Sequence, residues 1–179
     1  MIWLSILLVT ISFIGGTVFS SFKLSRTAAP EPPPAGTAPA VDFDTLKTRA
    51  LENKQNANVW TQLGNAYFDA GQYQNAIDAY EKSVAIDPGN PDVLTDLGVM
   101  YRRSNQPEKA VEMFSRAMAA DPGHEVSRMN KGIVLLHDLN DKSEAMKAWK
   151  GLLEINPLAT FGNGQSVDRM VWEYEQERK

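Results

Sequence analysis

Histidines, cysteines, paired carboxylates and glycine-rich loops are where catalytic or ligating chemistry would show. The chain has two histidines and no cysteine among its 179 residues. Without cysteine there are no disulfides, thiolate metal sites or cysteine nucleophiles. His124 sits in a Pro-Gly turn and His137 in a helical pattern, 13 residues apart, with no carboxylate pair at ligand spacing. Glu173, Glu175 and Glu177 read as a solvated helix face. No phosphate-cradling glycine loop, nucleophile elbow or paired-histidine metalloprotease helix is present. No enzymatic reaction, cofactor or metal is expected. The 18 Lys and Arg face 22 Asp and Glu. All but Lys23, Arg26 and Glu31 of these lie beyond residue 41, so the main body is acidic. That balance argues against nucleic acid, which needs clustered cations.

Two groups of residues suit binding. Arg102 and Arg103 could pair with a carboxylate of a partner, against the plainer reading of solvated surface charge. Met129, Ile133 and Leu136 are spaced 4 and 3 apart and form one apolar stripe on a helix. That stripe is either covered by the C-terminal helix or open to an apolar side chain of a partner.

The elements that position them recur with a period. Trp60, Leu63, Gly64, Tyr67, Ala76, Tyr80 and Pro88 are repeated 34 residues on as Leu94, Leu97, Gly98, Tyr101, Ala110, Phe114 and Pro122. A third copy keeps Gly132, Ala145, Trp149, Leu152 and Pro157. It departs where Arg128 replaces the Trp, Lys131 the first Leu and Leu135 the Tyr. One extra residue near Leu139 to Lys142 should lengthen its internal turn. Glycine and alanine at facing positions let two helices approach, and the aromatics fill the space between them. Each proline ends a second helix, because the residue before a proline disfavours helix.

These residues resemble the tetratricopeptide repeat family, a 34-residue helix–turn–helix unit. The resemblance implies an all-α solenoid in which neighbours stack and bury a shared core. The expected organisation is a transmembrane anchor at 1–26 and a Pro-rich linker at 27–41. A flanking helix at 42–56 follows, then repeats at 57–90, 91–124 and 125–159, then a capping helix at 160–179. The resemblance also implies a concave groove, lined by the first helix of each repeat, that takes a peptide or helix of a partner protein. The lining positions include Asn65 and Phe68, then Val99, Arg102 and Arg103, then Met129, Ile133, Leu136 and His137. The carboxylate clamp of chaperone-binding relatives needs Lys, Asn, Asn, Lys and Arg. Here those positions hold Thr61, Asn65, Asp96, Val126 and Asn130; only Asn65 fits, and Asp96 would repel a terminal carboxylate.

Residues 2–22 form an uncharged run of 21. At about 1.5 Å per residue it spans roughly 30 Å, the thickness of a bilayer core. A cleaved signal peptide, cut near Val18 to Ser20, is the rival reading, and the lack of an N-terminal cation disfavours it. Five prolines between Thr27 and Val41 make a spacer. Asp42 is placed to cap the flanking helix, whose pattern suits the second helix of a degenerate repeat. Gly162 and Gly164 break the chain, and Ser166 is placed to cap the last helix.

The expected function is a membrane-anchored adaptor that binds a protein segment in its groove and supports assembly of a membrane complex. A bacterial-type inner membrane is expected. Lys23 and Arg26 after the apolar run place the repeats in the cytoplasm. The same architecture is similar to accessory proteins of c-type cytochrome maturation, which would place them in the periplasm. A self-assembling scaffold, with faces stacking between copies, is a further alternative, as is a component of a secretion or envelope machine.

Overall fold

The computed structural model describes residues 42–177. The apolar run 2–22 and the Pro-rich segment 27–41 lie outside the described residues. Among those described, no helix is long and apolar enough to cross a membrane.

Among the described residues eight helices follow one another: α1 (Phe43–Glu52), α2 (Ala57–Asp69), α3 (Tyr73–Ile86), α4 (Pro91–Arg103), α5 (Pro107–Ala120), α6 (Glu125–His137), α7 (Lys142–Leu153) and α8 (Val167–Glu177). The described residues contain no strand, only one isolated antiparallel bridge between Thr160 and Ser166. Each helix packs mainly on its neighbours in sequence, and α4 also reaches α6. This is the stacking of a solenoid built from the pairs α2–α3, α4–α5 and α6–α7.

Local sequence sets the helix ends. Asn56 and Asn90 cap α2 and α4 by accepting from the backbone N–H groups of Asn58, and of Asp92 and Val93. Side-chain acceptors at these positions satisfy donors that a helix N-terminus leaves unpaired. Asp42 caps α1 by accepting from Thr45 N at 3.1 Å. Ser166 Oγ accepts from Arg169 N at 3.3 Å at the start of α8. The turns inside the first two pairs take three residues, 70–72 and 104–106, and the third takes four, 138–141. All three pass through a left-handed residue: Gly71 (φ 70°), Asn105 (φ 58°) and Asn140 (φ 54°). The extra residue therefore lies before Asn140, which preserves the turn's last step.

The helix approach is set by a glycine against an aromatic ring. A Cβ on Gly132 would lie 2.2 Å from Trp149 Nε1, and one on Gly98 would lie 2.6 Å from Phe114 Cε1. Tyr80, Phe114 and Trp149 are fully buried. The core divides into a central cluster spanning α3 to α6, a C-terminal cluster around Trp149, and a small N-terminal one around Trp60.

α1 belongs to this scheme. Four residues join it to α2, as four join α3 to α4 and α5 to α6. Its Ala50 is fully buried against the α2–α3 pair, and Phe43 stacks on Tyr67 with ring centroids 4.9 Å apart. The C-terminal junction is different: thirteen residues, 154–166, separate α7 from α8. Within that loop Phe161 sets its ring edge-on to Trp149 at 4.9 Å. α8 then packs on α7 through Val167 and Val171, both buried.

Candidate protein-binding groove

The first helices α2, α4 and α6 carry the sequence-predicted lining residues. Their signature residues point into the core, leaving a second face half-exposed. On that face Phe68 and Val99 pack partly buried against the central cluster. Met129, Ile133 and Leu136 pack partly buried against the C-terminal cluster, which Met170 and Tyr174 of α8 also join.

The structure uses several of the polar candidates internally. Asn65 Oδ1 accepts from the Tyr80 hydroxyl at 2.7 Å. Burial, and then Asp96 and Asp69, push that phenol's pKa up, so it stays a neutral donor. Arg102 Nε lies 2.5 Å from Asp138 Oδ2, in the lengthened turn of the third pair. Arg103 lies over the rings of Phe68 at 5.7 Å and Tyr73 at 5.4 Å, and donates to the Tyr73 hydroxyl at 3.2 Å. The arginine pair thus ties α4 to its two neighbours. His137 is exposed at the end of α6.

His124 has a structural role that spacing did not reveal. Its Nδ1 accepts from Ser127 N at 3.3 Å, capping α6, while Nε2 meets Asp92 Oδ1 at 3.1 Å. An accepting Nδ1 places the ring proton on Nε2, facing the carboxylate. A signal did exist: position 124 follows Asn56 and Asn90 at the 34-residue period, so it is a cap position whatever residue fills it.

The Trp-to-Arg departure in the third repeat also has a physical reason. In the first pair, Lys82 Nζ lies 4.5 Å from the Trp60 ring centroid. In the third, Arg128 fills the equivalent site and the facing residue is Gly151, where a Cβ would come 2.9 Å from Arg128 Nη1. Arg128 Nη2 donates to Pro122 O at 2.7 Å. The cation has moved from the second helix to the first, and the glycine makes room for it.

Asp96 lies on α4 half-buried, without an ion-pair partner among the described residues. Burial raises its pKa, Asp92 raises it further, and His124 opposes them. A raised carboxyl favours the fold when protonated, so this stability is present below the unfolded pKa and lost as pH rises through the folded one. Asp96→Asn is expected to melt above the parent near pH 7 and to lose that advantage at about pH 3. Thermal melts across this range check it; a variant no more stable than the parent near pH 7 contradicts the assignment.

No group of three or more His, Cys, Asp or Glu among the described residues is placed to hold a metal. The tetratricopeptide repeat family model matches residues 55–122. The match covers 68 of the 179 residues, and the described helices share the solenoid fold of that family's solved structures. The small glutamine-rich tetratricopeptide repeat-containing protein 2 of Mycosarcoma maydis is 35% identical over 48 residues, 27% of this chain. The match spans 14% of that relative's length. The crystal structure of MamA superposes with a TM-score of 0.66 at 19% identity, over 75% of this chain and 77% of that one. The first such domain of Spaghetti (RPAP3), bound to the HSP90 peptide SRMEEVD, gives a TM-score of 0.56 at 26% identity, over 69% of this chain and 94% of that one.

Proposed function

We propose that the chain is a membrane-tethered scaffold that holds a segment of a partner protein along the first-helix face of α2, α4 and α6. The observation that carries this is the half-exposed apolar row of Phe68, Val99, Ile133 and Leu136. The repeat signature leaves these residues free, and they are not fully covered by other helices. A peptide-bound neighbour of the same fold supports the reading. Its acidic peptide does not transfer: of the clamp positions only Asn65 matches, and Asn65 already accepts from Tyr80. The uncharged run 2–22 supplies the tether, in a bacterial-type inner membrane, with Lys23 and Arg26 favouring cytoplasmic repeats. Tethering would raise the effective concentration for membrane partners.

The test is site-specific photocrosslinking of the full chain in cells. A photoreactive residue at Val99 or Leu136 should give discrete protein adducts. One at Ala119, exposed on the second-helix side, should give none. Equal yields at all three positions overturn the assignment.

A further inference from the structure

The junction between α7 and α8 opens a site that the regular repeats lack. In the first two junctions a four-residue connection delivers the next first helix directly onto the stack. Here thirteen residues intervene and α8 packs on α7. A cleft of about 300 Å³ remains between the first turns of α6 and the 156–160 segment, walled by Val126, Met129, Leu152, Leu158 and Ala159. Val126 is 56% exposed and Leu158 87% exposed. Large apolar side chains so open to water mark interaction sites when they border a cavity.

The border of the cleft carries a carboxylate. Glu125 lines it directly and holds Asn156 Nδ2 at 2.8 Å. Among the described residues no lysine or arginine pairs with Glu125.

We propose that this cleft anchors a partner segment carrying a large apolar side chain beside a lysine or arginine. The apolar group fills the space between Val126 and Leu158, and the cation meets Glu125. The proposal rests on the reading of the first-helix face as a segment-binding surface, and it sets the chemistry at one end of that surface.

The test selects peptides of about ten random residues, displayed on phage, against the full chain in detergent micelles. Enriched peptides should carry an aromatic or large aliphatic residue next to Lys or Arg. Val126→Ser with Leu158→Ser removes the apolar walls without adding charge, and both positions are exposed enough to keep the fold. This double variant and Glu125→Lys should each weaken the selected peptides by about tenfold or more. Val99→Lys reports on the rest of the face. Peptides that lose binding only with Val99→Lys would sink the cleft and leave the face intact. Enrichment of acidic peptides would also sink the cleft. No enrichment at all would sink both readings.

Discussion

Trp149→Ala is expected to lower the unfolding free energy by about 3–5 kcal/mol, the range for removing a buried aromatic side chain. The residue is fully buried, lies against Gly132, meets Phe161 edge-on at 4.9 Å, and donates its indole N–H to Met129 O at 3.2 Å. Truncation removes the centre of the C-terminal cluster and leaves that carbonyl without its partner. Loosening should follow in Phe161 and then in α8, which has little else to pack on. Urea denaturation measures the loss, and Trp172→Ala is the control. Trp172 is 58% exposed, so its truncation should change stability by no more than about 0.5 kcal/mol. Equal effects of the two variants would mean that Trp149 does not hold this cluster together.

Gly132→Ala should destabilise by about 1–3 kcal/mol, the cost of overfilling a packed core. Helix propensity pulls the other way by about 1 kcal/mol, since alanine is the better helix former. The steric term wins because the added Cβ would sit 2.2 Å from a ring wedged against Phe161, with no free direction to move. The sign should reverse when the ring is gone. In a Trp149→Leu background, Gly132→Ala should be neutral or stabilising by up to about 1 kcal/mol. A double-mutant cycle by chemical denaturation reads this coupling. Additive effects of the two substitutions would show that the glycine is not there for the indole.

What the sequence made legible is what is periodic. The glycine–aromatic pairs and the turns of the first two repeats recur at 34 residues, and the third copy follows with one residue added before Trp149. The longer third turn was visible as one surplus residue between Gly132 and Ala145. The Asp42 cap and the spacing of Phe43, Leu46, Ala50 and Leu51 suit a second helix, and α1 spans Phe43–Glu52.

The family resemblance implies which side chains share the first-helix face. It does not say whether they are free. Arg102 is taken by Asp138, a residue 36 positions away that sits in the irregular turn. Arg103 is taken by rings on the preceding pair. Neither contact belongs to the repeat, so no periodic argument could find it. The same holds for the cleft beside Leu158. It exists because a loop broke the period, and the two glycines in that loop announced the break without its consequence.

The small cluster that seats α1 has a mechanical meaning. A load applied to the chain ahead of Asp42 enters the described fold through this ten-residue helix. α1 is seated chiefly by Ala50 and Leu46 against the α2–α3 pair and by the Phe43–Tyr67 stack. Tension would therefore peel α1 away before it reached the central cluster, uncovering Leu63 and Ala79 while the faces of α4 and α6 kept their shape. A solenoid pulled from that end has a fuse at its first helix.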